Sequence, residues 1–240
     1  MWAIQPTGEL PPLFCVYGSW GDVAPHVDPE RPMYLYEAPG LAGERAPRTI
    51  EQVAARYADK LVELHPDGPV YLAGYSGGAL FAIEMARVLR NRGRDVPLLM
   101  LVDPIHASLQ RAYPPAPVRP WRRRGRFDSV RRAIRARPRL ARALAASALN
   151  FGMRVPLFLR KEHYEGLFWR LVGRYDAPIY TGPTTMLYTA DIADPLRGWG
   201  PLLPGLVEQH FIEGDHYDLL KDPHAPRLAE LLERCIAGSS

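Results

Sequence analysis

Cysteine is scarce in this chain: two residues in 240. That excludes a disulfide-stapled secreted scaffold, and no Cys/His cluster has the spacing of a zinc site, so no metal is expected. Cys15 sits in the apolar run Leu13–Tyr17 and Cys235 in a C-terminal amphipathic run, so both read as buried, reduced core residues. Long apolar runs are absent as well. Nothing approaches the ~18 consecutive apolar residues of a membrane span. Met1–Pro12 has no basic run followed by an apolar block, so no secretory signal is read there. Together these absences point to a cytoplasmic protein that makes no membrane contact.

Lysine is the third scarcity, with 3 residues against 27 arginines. Charge is also unevenly spread. The formal net charge is +4, yet Arg111–Arg174 holds 17 basic residues (16 Arg and Lys161) against Asp128, Glu162 and Glu165. That segment carries +14 and the remainder −10. Such asymmetry implies an acidic partner for one face.

What is present is an ordinary globular composition, 47% hydrophobic and 23% charged, in a length that suits one domain spanning 1–240. Short apolar runs ending in turn residues, Leu13–Tyr17 before Gly18 and Met33–Glu37 before Pro39-Gly40, read as buried strands. Thr49-Ile50-Glu51-Gln52 has the form of a capping box. Ile50, Val53, Ala54, Tyr57, Leu61 and Leu64 then recur at helical spacing until Pro66-Asp67-Gly68. Strand 69–75, helix 77–92 and strand 97–102 follow. After a long interruption come strands 184–190 and 206–212 and a helix over 225–237. This βαβα alternation implies a mostly parallel sheet with helices on both faces.

The interruption covers about 105–180. Pro114, Pro115, Pro117 and Pro120 break regular structure, and three apolar stripes follow, the last through Tyr164, Leu167, Phe168, Leu171 and Val172. It reads as a helical lid inserted over the sheet edge.

Gly74-Tyr75-Ser76-Gly77-Gly78 matches G-x-S-x-G, directly after an apolar strand and at the start of an amphipathic helix. That is the setting of a nucleophile elbow in an α/β-hydrolase fold, where a tight turn lifts Ser76 Oγ out of the chain. The Gly77 N–H, at a helix N-terminus, is set to receive a developing oxyanion. A serine hydroxyl needs a base. Glu213-Gly214-Asp215-His216-Tyr217 follows the last strand, where the order Ser…Asp/Glu…His puts it, so His216 is the candidate. For the acid, Asp103 ends one strand, while Asp191 and Asp194 follow another. Strand-end spacing leaves all three open, since any of them could instead cap a helix. The second oxyanion donor is sought in Tyr17-Gly18-Ser19-Trp20-Gly21, at Ser19 or Trp20.

At these residues the chain resembles the type I thioesterase domains of polyketide synthases and nonribosomal peptide synthetases. The matching residues are Arg31-Pro32-Met33-Tyr34, Glu37-Ala38-Pro39-Gly40-Leu41, Thr49 through Ala54, Gly68 through Gly78, Glu84-Met85-Ala86, Leu101-Val102-Asp103 and Gly214-Asp215-His216-Tyr217. They cover about two-thirds of the chain and leave out the lid. The resemblance implies an acyl thioester on the phosphopantetheine of an acyl or peptidyl carrier protein, delivered to Ser76, with no cofactor of the enzyme's own. It also favours Asp103 as the acid. Two features depart from the family: Tyr17-Gly18 stands where a His-Pro pair is usual, and the stretch Asp22–Val27 is a few residues short.

Two other activities fit parts of the sequence. A carboxylesterase or lipase on the same fold would act freely on small oxygen esters. Trp121-Arg122-Arg123-Arg124-Gly125-Arg126 has the charge for nucleic-acid phosphates, but no nucleic-acid motif accompanies it. Arg122, Arg123, Arg124 and Arg126 are instead expected to meet an acidic carrier protein and its phosphate.

Overall fold

The computed structural model describes residues 1–36, 47–105, 167–190 and 198–239. Seven strands build one sheet: β1 (Trp2–Gln5), β2 (Leu13–Val16), β3 (Met33–Tyr36), β4 (Tyr71–Tyr75), β5 (Leu98–Val102), β6 (Thr184–Tyr188) and β7 (Leu206–Phe211). Their spatial order is β1-β3-β2-β4-β5-β6-β7. All neighbouring pairs are parallel except β1 with β3, an antiparallel edge that the sequence pattern did not reveal. Four residues with the pattern Trp-Ala-Ile-Gln, half of them exposed and none buried, carry too little periodicity to mark a strand.

β2, β4 and β5 are buried along their whole length, as expected for parallel strands covered on both faces. Alternate side chains serve two cores. Phe14, Leu72, Leu99 and Leu101 pack with α1 (Ile50–Leu64) and α2 (Gly78–Asn91). Cys15, Ala73, Met100 and Val102 pack on the opposite face with the C-terminal helix. A helical segment over 167–172, here α3, lies in the first core through Leu167, Phe168, Leu171 and Val172. The C-terminal helix is α4 (Ala225–Gly238). Cys15 and Cys235 are both buried free thiols. The lid residues 106–166 lie outside the described residues, so the expected insertion can be followed only at its C-terminal end.

Local signals explain most boundaries. At the start of α1, Thr49 Oγ1 accepts from Gln52 N–H (3.3 Å), one half of the expected capping box. The reciprocal half is shifted, because Gln52 Oε1 accepts from Arg48 N–H (2.9 Å) rather than from Thr49. β2 stops one residue early since Tyr17 turns to φ +61°. β6 ends at Tyr188, two residues short of expectation, because Thr189 spends its N–H on a side chain. Far from that edge, Arg31 grips Glu233 with two bonds (2.8 and 2.9 Å) and donates to the Pro11 carbonyl, fastening the N-terminal strands to α4.

The registers set Val16 beside Gly74, Tyr75 beside Val102, and Val102 beside Leu187. Tyr17, Ser76, Asp103 and Thr189 therefore all follow the carboxyl ends of adjacent strands. The chain runs from β2 outward to β3 and then returns to β4 on the other side of β2. Such a switch of direction opens a crevice at the carboxyl edge, the usual ligand site in this kind of sheet.

Candidate active site

Ser76 joins β4 to α2 with φ +55°, a left-handed conformation rarely adopted by residues other than glycine. The turn closes because its neighbours lack side chains. A Cβ on Gly78 would stand 2.3 Å from the Val16 carbonyl oxygen, and one on Gly74 2.7 Å from the Ala79 Cα. Helix α2 can thus approach β2 and β4 closely enough to hold the strained serine, which also donates its N–H to Val102 O (2.9 Å).

His216 arrives from the loop after β7, which turns at Gly214 (φ +117°). Asp215 ties that loop by accepting from the N–H groups of Tyr217 and Asp218 (2.8 and 3.0 Å). His216 Nε2 lies 2.9 Å from Ser76 Oγ, and its Nδ1 lies 2.5 Å from Asp103 Oδ2. A carboxylate at Nδ1 holds the proton there and leaves the Nε2 lone pair to accept from the serine hydroxyl.

Asp103 is fully buried, and its other oxygen is also occupied. Oδ1 accepts from Thr189 N–H (2.9 Å) and from Thr189 Oγ1–H (3.0 Å). The carboxylate plane is therefore fixed on both sides. Thr189 was not singled out from the sequence, since it sat inside an apparent strand.

Tyr75, the variable residue of G-x-S-x-G, was also missed. Its ring stacks on the His216 imidazole (centroids 5.1 Å, planes 19° apart), and its hydroxyl donates to the His216 backbone carbonyl. Burial pushes the Tyr75 phenol above its ordinary pKa, with the Asp103 charge acting in the same direction, so it remains a donor.

On the other side of the elbow, Phe168 of α3 lies against Gly77, its ring edge 2.9 Å from where a Cβ would stand. Tyr17 stacks on Phe168 (4.3 Å), which in turn stacks on Phe81 of α2 (5.2 Å). The end of the lid segment is thereby joined to the loop after β2 directly over the start of α2. Gly77 precedes α2, and Ser19 is exposed in the turn after β2. That turn is anchored by the buried Trp20, whose indole N–H donates to Tyr17 O (2.6 Å).

Among the described residues, the other histidines sit elsewhere. His26 is 3.5 Å from Asp222, His65 contacts the Pro69 carbonyl, His210 contacts Glu208, and His224 precedes α4. Asp191, Asp194, Arg122, Arg123, Arg124 and Arg126 lie outside the described residues.

The model of the thioesterase domain family matches residues 16–236. The chain belongs to the thioesterase domain family. Relatives of this thioesterase include malpinin synthetase of Mortierella alpina, 27% identical over 92% of this chain, and the dimodular nonribosomal peptide synthase of Bacillus subtilis strain 168, 32% identical over 42%. The thioesterase spans only 3% and 4% of the length of these two relatives. Among solved structures, the thioesterase domain SrfTE, described as cyclising the lipopeptide antibiotic surfactin, aligns over 95% of this chain and 92% of its own, with a TM-score of 0.60 and 21% identity. That likeness bears out the α/β-hydrolase fold. A thioesterase domain on this fold is a serine hydrolase, and one relative that it matches is a nonribosomal peptide synthase. No helix among the described residues is long and apolar enough to cross a membrane.

Proposed function

We propose that this thioesterase releases an acyl or peptidyl chain from the phosphopantetheine thioester of a carrier protein, with Ser76 as nucleophile, His216 as base and Asp103 as its orienting acid. The observation that carries the reading is the unbroken contact line Ser76 Oγ–His216–Asp103–Thr189 at the carboxyl edge of a thioesterase-family sheet.

Ser76 Oγ attacks the thioester carbonyl carbon while its proton passes to His216 Nε2. The oxyanion is held by the Gly77 N–H at the start of α2 and by a second N–H from the loop after β2, with Ser19 the candidate. Collapse breaks the C–S bond, and the imidazolium returns the proton to the departing pantetheine thiol. Water, or a hydroxyl or amine of the acyl chain itself, then gives its proton to His216 and attacks the ester. The product is a free acid or a ring, and Ser76 is restored. Asp103 stabilises the imidazolium in both halves. Tyr75 and Thr189 are positioning residues, the first acting on His216 and the second on Asp103.

The arginine-rich segment, with Arg122, Arg123, Arg124 and Arg126 at its centre, is the proposed docking surface for the acidic carrier and its phosphate. The test compares three acyl donors: carrier-bound thioester, a small neutral thioester and a small oxygen ester, with products read by mass spectrometry. The reading expects the thioesters to be turned over in preference to the oxygen ester. Reversing Arg122, Arg123 and Arg124 to Glu, or raising salt, should slow only the carrier-bound donor, because exposed charges act over a Debye length of about 8 Å at physiological ionic strength. Free turnover of small oxygen esters with no response to the carrier would instead mark an ordinary carboxylesterase.

A further inference from the structure

Glu208 and His210, two residues apart on β7, project to the same side of the sheet, where α4 brings Cys235 against them. Their three ligand atoms lie within 4.8 Å of one another. The His210 Nε2 is the hinge of the group, 2.7 Å from Glu208 Oε2 and 3.7 Å from Cys235 Sγ. In linear order Cys235 is 25 residues beyond His210, so no zinc-like spacing marks the set, and only the packing of α4 on β7 assembles it.

We propose that Glu208, His210 and Cys235 form a binding site for a thiophilic divalent transition ion of the zinc class, joining the last strand to the last helix. Tetrahedral zinc with one sulfur and one imidazole ligand sets those two atoms about 3.5 Å apart, close to the separation found here. To take its own position around the ion the Glu208 oxygen has to withdraw about 0.6 Å from His210 and stand about 3.5 Å from the sulfur, from which it is now no more than 4.8 Å away. Glu208 is exposed, His210 half-buried and Cys235 buried, so the fourth position faces solvent and is left for water.

Burial and the Glu208 carboxylate hold the Cys235 thiol above its usual pKa, while the exposed Arg234 guanidinium acts the other way. Binding therefore releases the thiol proton to solvent as the metal–sulfur bond forms. Thr185 of β6, opposite Glu208 in the register, is a further group that lowers the Cys235 thiol pKa. The group lies on the α4 side of the last strand of the sheet, and its role is to staple β7 to α4.

The 240-residue chain is titrated with Co²⁺, a spectroscopic stand-in for Zn²⁺, and then with Zn²⁺. The proposal expects one equivalent of Co²⁺ to give a near-ultraviolet thiolate-to-metal band that Zn²⁺ removes, and Zn²⁺ to raise the thermal midpoint. Cys235→Ser should abolish the band. His210→Gln, on an edge strand and safer for folding, should weaken Co²⁺ at least tenfold with the band still visible at excess metal. A wild-type chain with no band at a large excess of Co²⁺ would overturn the proposal, as would a band that survives Cys235→Ser or an affinity unchanged by His210→Gln.

Discussion

The imidazole of His216 rests against the ring of Tyr75, 5.1 Å between centroids, and the same tyrosine binds the His216 backbone carbonyl through its hydroxyl. One side chain thus fixes both the plane of the base and the loop that carries it. Tyr75 is itself set by its place on β4, one residue before the strained serine, so nucleophile and base share a single rigid support.

That arrangement separates two substitutions. Tyr75→Phe keeps the stack and loses one hydrogen bond of about 1 kcal/mol, so kcat/KM should fall about fivefold. Tyr75→Ala also frees the ring of His216, and misplacement of a catalytic group by about 1 Å costs on the order of 10²-fold. Steady-state kinetics on one thioester measures both. Equal losses would remove the stack from the account.

The acid has its own signature. Asp103→Asn preserves the shape but favours the wrong tautomer of His216, and kcat should drop by about 10⁴, the magnitude of the serine-protease precedent. Thr189→Val leaves the backbone N–H to Asp103 and deletes only the hydroxyl bond, worth about 1.5–3 kcal/mol to a charged acceptor, so a loss of about tenfold to a hundredfold is expected. Asp191→Asn and Asp194→Asn should cost far less than Asp103→Asn. The reverse order would move the acid to the end of β6.

Much of this architecture was legible before any coordinates. Apolar runs at β2, β4 and β5 and the helical period after Ser76 mark strand–turn–helix, because burial on both faces leaves few polar residues to confuse the pattern. The residues that were not legible share a cause. By spacing alone Asp103, which only the family resemblance favoured, looks like any strand-end carboxylate until Thr189 and His216 arrive, from 86 and 113 residues away. Tyr75 reads as the variable letter of a motif until the loop carrying His216 folds back 141 residues later. The strand β1 is too short and too exposed to advertise itself, and strand ends shift where a residue such as Thr189 diverts its N–H from the ladder.

Stability should fail on the alkaline side. Burial raises the phenols of Tyr36, Tyr75 and Tyr175, and that of Tyr180 to about 12. An unfolded tyrosine ionises near pH 10. Above about that pH the folded chain binds more protons than the unfolded one, so the stabilisation present below it is lost as pH rises toward the folded values. Tyr175 is the sharpest case, because its hydroxyl donates to the buried Glu84 carboxylate at 2.6 Å. Urea unfolding from about pH 8 to about pH 11 should show a falling midpoint. Tyr175→Phe should make the fall shallower. A midpoint that does not move across this range would contradict the burial of these phenols.

The most direct test is the mass of the intact chain after mixing with an acyl thioester and rapid quenching. The wild-type chain should gain the mass of one acyl group, mapped by peptide digestion to Ser76. Ser76→Ala should gain none and lose roughly 10⁶-fold in turnover while keeping its fold, since the residues of such a unit act together. An acyl adduct that persists in Ser76→Ala, or that maps to another residue in the wild type, would contradict the assignment of Ser76 as the nucleophile.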